Sequence, residues 1–203
     1  MAAVSILHYG IGNTGSISNM LGKLRVAAEV VTTPAGVSAA ERLMLPGIGA
    51  FDACVEALEK SGMRDSVIEF AASGRPLLGI CVGMQMLTRG SEEGDRPGLG
   101  LIDAYTRRFT ARPGLRIPHM GWDNVRWLDP AHTLATNLVS DSRFYFVHSF
   151  RVACDSVANS LGVCNYGDEF SAAIVKGNIA GVQFHPEKSH RFGLQLLRNF
   201  SNS

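Results

Sequence analysis

The hydrophobic positions of the first ninety residues alternate between two periods. The run VSILHY reads as a strand, and Ile17, Met20, Leu21 and Leu24 then follow at helical spacing. EVVTT and RLML are two further short strands. AFDACVEALEKSG puts Phe51, Cys54, Val55 and Leu58 on one helical face and ends in glycine, and MRDSVIEFAASG repeats the plan with Met63, Val67, Phe70 and Ala71. RPLLGI is wholly apolar after Pro76, the pattern of a central parallel strand covered on both faces. It runs straight into the helical segment CVGMQMLTRG.

Beyond Gly90 the texture changes. GSEEGDRPGLG is a loop, and DNVRWL, RFYFVHSF, LGVCNY, SAAIVKG and IAGVQFH are short strand candidates separated by turn residues. SHRFGLQLLRNF closes the chain as a helix with Phe192, Leu196 and Phe200 on one side. No repeat or low-complexity linker interrupts the pattern. It predicts one α/β domain over residues 1–203, with a mixed, mostly parallel central sheet flanked by helices.

Composition narrows the function classes. With 19 basic and 18 acidic residues the net charge is +1, and no polybasic cluster offers a footprint for nucleic acid or an anionic membrane. Residues 1–10 lack the charged start and longer apolar stretch of a signal peptide, and no apolar run reaches membrane-span length, so a cytoplasmic protein is expected. Cys54, Cys81, Cys154 and Cys164 form neither a C-x-x-C pair nor a metal-ligand spacing. Neither a metal nor a cofactor is expected. Three of the cysteines read as small buried hydrophobes, and one is left as a candidate reactive thiol.

Candidate chemistry lies in four stretches. HYGIGNTGSISNML spells G-x-G-x-x-G through Gly10, Gly12 and Gly15 after a strand, which opens a choice between a dinucleotide site and a tight strand-to-helix turn. The acid that a dinucleotide ribose needs at the end of the second strand is missing, because Glu29 stands at its start. GICVG has the form of a nucleophile elbow with Cys81 in place of serine, at the carboxyl end of a strand where the following helix start favours a thiolate. A core cysteine beside a structural glycine is the alternative. In GVQFHPEKS, Pro186 holds His185 extended, so that Glu187 could orient an imidazole serving a thiol; a plain surface histidine is the other reading. An oxyanion formed at Cys81 could use the N–H of Val82 and one from Ile48 or Gly49 in LPGIGAF, where Gly47 and Gly49 keep the loop bare. Gln85, one helical turn past Cys81, could face the same cleft or cap a solvated helix end.

Together YGIGN, LPGIGAF, GICVGMQML, IPHMGW, YFVHSF and GVQFHPEKS resemble, in order and over nearly the whole chain, the class I glutamine amidotransferases, and among them the glutaminase subunits of imidazole glycerol phosphate synthase. The resemblance implies a flavodoxin-like fold and Cys81, His185 and Glu187 as nucleophile, base and orienting carboxylate. It also implies L-glutamine as substrate, held by Gly49, Gln85, Glu93, His148, Ser149 and Phe150, and a one-to-one cyclase partner built as a (β/α)8 barrel that takes up the ammonia. On this reading the glycine turn near the amino terminus is scaffold and partner face. Met120 and Trp122, in a Gly/Pro-framed loop, would be anchors for the partner, unless Trp122 is core. His8, Asp123 and Phe150 depart from the family pattern, where Asp, Asn and Tyr are usual.

Overall fold

The structure, a computed structural model, describes residues 3–203. Its first half alternates β1 (Val4–Leu7), α1 (Thr14–Lys23), β2 (Ala28–Val31), α2 (Pro34–Ala39), β3 (Arg42–Gly47), α3 (Phe51–Lys60), α4 (Arg64–Ala72), β4 (Leu77–Cys81) and α5 (Val82–Met86). Strands then dominate: β5 (Ala104–Arg108), β6 (His119–Asn124), β7 (Arg126–Trp127), β8 (Arg143–His148), β9 (Phe150–Cys154), β10 (Ser160–Tyr166), β11 (Asp168–Lys176) and β12 (Ile179–Val182). The helix α6 (His190–Ser201) ends the chain.

The main sheet runs β2-β1-β3-β4-β12-β11-β10-β7, with β9 joined to β11 and β5 to β9. Pairing is parallel from β2 to β12 and antiparallel from β12 to β7. The change follows from the connections. Helices bridge the early strands, as parallel neighbours require, whereas short turns join β10, β11 and β12. β4 lies near the middle, and all five of its residues are buried, as its unbroken apolar run predicts. The predicted helical faces of α3 and α4 are also buried, with Phe51 and Phe70 among the largest enclosed side chains. Each such side chain is worth about 1.5–3 kcal/mol of burial. This is the mixed, mostly parallel sheet flanked by helices that the sequence pattern predicts.

Several local expectations need correction. α2 and β5 were not legible: α2 is a six-residue helix started by Pro34 and capped by the Thr33 hydroxyl, too short for a period to show. RFYFVHSF is two strands, because the chain leaves the β6–β8 sheet at Ser149 and enters the main sheet as β9. DNVRWL also splits: Asp123 and Asn124 finish β6, while Arg126 and Trp127 pair with β10. IPHMGW is therefore not a loop, since His119 to Trp122 form most of β6. The helix after Cys81 stops at Met86, so its dipole contributes little. Cys154 is half-buried rather than core. Of the glycines in the amino-terminal turn, Gly10 and Gly12 take positive φ, and a side chain on Gly12 would press on Pro46 at 3.0 Å. Among the described residues no helix is long and apolar enough to cross a membrane, and no cluster of three His, Cys, Asp or Glu is placed to hold a metal.

Candidate active site

Cys81 ends β4 with φ 56° and ψ −114°, a backbone conformation that costs a non-glycine residue on the order of 1–3 kcal/mol. Its neighbours make that turn possible. A Cβ on Gly79 would lie 2.6 Å from the carbonyl oxygen of Gly83, and one on Gly83 would collide with the carbonyl oxygen of Leu45. The glycines of G-x-C-x-G thus let α5 press against β3 and β4 and turn the thiol out toward the ends of the strands. Cys81 is nonetheless only 4% exposed.

Sheet order supplies its partners. β12 lies beside β4 in parallel, with Ile80 opposite Val182, so the residues that follow each strand emerge together. His185 lines the same cleft as Cys81, and its Nδ1 lies 2.8 Å from Glu187 Oε1. Burial opposes charge on the imidazole, but Cys81 and Glu187 overcome it and push His185 up to about 10. His185 is therefore set to hold a proton beside the Cys81 side chain. The contact between His185 and Glu187 comes from a tight 3-10 turn over Pro186–Lys188, not from the extended segment expected. Ser189, absent from the sequence reading, fixes this turn to β8: its hydroxyl donates to the His185 carbonyl at 2.6 Å and accepts from Tyr145 N–H at 3.0 Å.

A cleft of about 430 Å³ opens over the thiol, lined by Ile48, Gly49, Cys81, Val82, Gln85, Glu93, His148, Ser149, Phe150 and His185. All the sequence-derived candidates thus meet there except Glu187, which stands behind His185. Gly47 pairs with Cys81 across β3 and β4, which sets the Ile48–Gly49 loop at the cleft edge. Gln85 is buried, ruling out a solvated helix end; its amide donates to Gln183 Oε1 at 3.0 Å and to the Phe150 carbonyl at 3.4 Å. Glu93 faces the cleft while also capping α3, its Oε2 accepting from Phe51 N–H at 2.9 Å. The Phe150 ring packs beneath Arg108, leaving its carbonyl as the group that faces the polar wall.

Two further residues were missed. Gln183 lies where β12 ends and donates toward Cys81 Sγ at 3.9 Å; its place two residues before His185 was the only available signal. Lys188 joins the rim of the cleft and stands over the Tyr145 ring. On the outward face of β6, Met120 and Trp122 are 61% and 42% exposed, so Trp122 is not core. It stacks on His190 at 5.2 Å.

Comparison with known proteins finds similarity over nearly the whole chain. Residues 5–202 match the family described as glutamine amidotransferase class-I. "Imidazole glycerol phosphate synthase subunit HisH 2" of Methanococcus maripaludis is 46% identical over 198 residues, which is 97% of this chain and 98% of the relative. The HisH subunit of Bdellovibrio bacteriovorus is 44% identical over 202 residues, with 98% of each chain covered. Among solved structures, PurLQS from Thermotoga maritima superposes with a TM-score of 0.77 at 18% identity, covering 100% of this chain and 99% of that one. A glutamine amidotransferase from the same organism gives 0.64 at 18% identity, covering 99% of this chain and 83% of that one. At those identities the two structures bear on the fold alone.

Proposed function

The chain belongs to the class I glutamine amidotransferases, as a glutaminase-type subunit related to HisH of imidazole glycerol phosphate synthase, and on that premise we propose that it hydrolyses L-glutamine at Cys81 and delivers the ammonia to a cyclase subunit. The observation that carries this reading is the strained Cys81 elbow with the His185–Glu187 pair behind it, at the floor of one cleft. The thiolate attacks the carboxamide carbon of glutamine, and the negative charge that develops on the carbonyl oxygen is taken by the N–H of Val82 and by an N–H from Ile48 or Gly49. His185 gives its proton to the departing ammonia. It then takes one from the water that cleaves the thioester, freeing glutamate and restoring the thiolate. Gly49, Gln85, Glu93, His148, Ser149 and Phe150 form the walls that hold the glutamine.

The partner is a (β/α)8-barrel cyclase bound one to one, which consumes ammonia in making imidazole glycerol phosphate and aminoimidazole carboxamide ribotide. Exposed Met120 and Trp122, on the strand that borders the cleft, support a partner covering this side. The direct test is to incubate the chain with L-glutamine, alone and with the cyclase, and to measure glutamate. Cys81→Ala should abolish release, and a diazoketone analogue of glutamine should form its adduct on Cys81. An adduct on Cys54, Cys154 or Cys164, or undiminished release by Cys81→Ala, overturns the proposal.

A further inference from the structure

A third buried histidine stands behind the wall of the cleft, and the proposed reaction makes no use of it. His119 faces His148 across the β6–β8 register, with its Nδ1 3.1 Å from His148 Nε2. On the far side, His148 Nδ1 lies 2.7 Å from the carbonyl oxygen of Phe150. On the near side, His119 Nε2 lies 2.8 Å from Asp123 Oδ2. Residues 119, 121 and 123 share one face of β6, which is why a strand can put this carboxylate against this ring. An unbroken line therefore runs from Asp123, whose side chain is 41% exposed, through two imidazoles to a carbonyl in the cleft wall.

Counting donors along the line fixes its protons. A carbonyl oxygen can only accept, so His148 must carry a proton on Nδ1. Burial, reinforced by the nearby His119 and His185 and only partly offset by the Phe150 carbonyl, holds His148 down to about 3, so it is neutral and its Nε2 is bare. His119 must then donate from Nδ1. If that is its only proton, its Nε2 turns a lone pair toward a carboxylate that has no proton to give. Moving the His148 proton to Nε2 instead would set a lone pair against the Phe150 oxygen. Every contact is satisfied only when the His119–Asp123 pair holds one extra proton, and the imidazole nitrogen, the more basic of the two sites, is where it rests, pairing His119 with Asp123 as an imidazolium.

We propose that Asp123 is a positioning residue for the glutamine site: through His119 it places one extra proton in the line, and this locks His148 in the tautomer that holds the Phe150 carbonyl. The positioning rests on the reading of the cleft given above, whereas the proton does not. The groups that face His119 bear this out. Its ring is stacked between Tyr166 at 3.9 Å and Phe146 at 4.7 Å, with Phe170 edge-on. The Tyr166 hydroxyl donates to the Arg116 carbonyl, and burial together with Asp123 pushes the Cys164 thiol up to about 12, so the thiol stays uncharged. Asp123 is the anion in contact with the line. Burial opposes the His119 imidazolium and Asp123 favours it, with the balance below the ordinary histidine value, so the line fills its proton in weak acid.

The test is a histidine 15N NMR titration of the full chain and of Asp123→Asn between about pH 8 and 4.5. An asparagine amide can donate to a bare Nε2, so the variant line is complete with two neutral rings. His119 should take up its second proton in the wild type, and its midpoint should fall by more than about one pH unit in Asp123→Asn. L-Glutamine binding is then measured in a Cys81→Ser background, where turnover is blocked. Affinity should tighten by roughly two- to tenfold as wild-type His119 is protonated, the worth of one net hydrogen bond, and stay flat in Asp123→Asn. Equal His119 midpoints overturn the extra proton. Distinct midpoints with equal glutamine profiles overturn the positioning role. If neither protein binds glutamine at any pH, the glutamine reading of the cleft fails, and the nitrogen titration alone decides the proton.

Discussion

In the proposed hydrolysis the chemistry turns on His185, which would hold a proton beside a thiol and then give it away. Two neighbours set its state: Cys81 and, two residues on, Glu187. His185→Ala should lower glutamine hydrolysis by about 10²–10⁴-fold, the usual worth of a general acid–base. Glu187→Gln should cost less, since an amide oxygen still accepts from Nδ1 but supports the imidazolium poorly. Steady-state rates of the two variants with the partner present decide the order, and Glu187→Gln activity equal to wild type would remove the orienting role. A pH dependence follows as well. His185 is raised from about 6.5 in the unfolded chain to about 10 in the fold. Its contribution to stability is therefore complete below about 6.5 and is lost as pH rises through about 10. The gap in melting temperature between wild type and Glu187→Gln should be widest near pH 6 and close toward pH 10. A gap that widens with pH contradicts a protonated His185.

At the scale of elements, the decisive contact is α5 against β3 and β4. It is so close that Gly83 cannot take a Cβ without displacing the Leu45 carbonyl, which belongs to a buried strand rather than to a flexible side chain. Gly83→Ala should thus destabilise by about 3 kcal/mol or more and lower the rate at which Cys81 is alkylated, because the elbow would open. Gly22 is a useful contrast. It lies within α1 with no atom in reach of an added Cβ, so Gly22→Ala should stabilise by roughly 0.5–1 kcal/mol. Denaturant unfolding of the two variants checks both signs. The strand β6 makes a similar point about faces: His119 and Asp123 point toward the cleft wall while Met120 and Trp122 point out, a separation by strand alternation that a loop would not give.

Across the whole molecule, the parallel order β3-β4-β12 gathers the ends of three strands distant in sequence around one thiol. The proposed partner would cover the neighbouring apolar face. Trp122→Ala should weaken cyclase binding by about 2 kcal/mol or more, as a central aromatic anchor does. It should leave the melting temperature of the isolated chain nearly unchanged, since the side chain is 42% exposed. Titration calorimetry against the cyclase measures the first and thermal unfolding the second; unchanged affinity would move the interface elsewhere.

The sequence by itself determined the alternating strands and helices of the first half, the central place of β4, the buried faces of α3 and α4, and the elbow at Cys81. These rest on local periodicity and on glycine spacing, both of which a linear chain displays. It also supplied the candidates for the cleft, through stretches whose resemblance to one family extends over the chain. Only the tertiary structure decided how the second half divides. RFYFVHSF is one apolar run, and whether it is one strand or two depends on which neighbours it meets on either side of Ser149. The same holds for Gln183, Ser189 and His119. Each is an ordinary polar residue in sequence, and each acquires its role from a partner brought close by the sheet: Cys81, the carbonyl of His185, and the His148 ring. Hydrogen-bond partners far apart along the chain leave no period to read, because burial and direction, which decide whether a polar group must be paired, exist only once the strands are side by side.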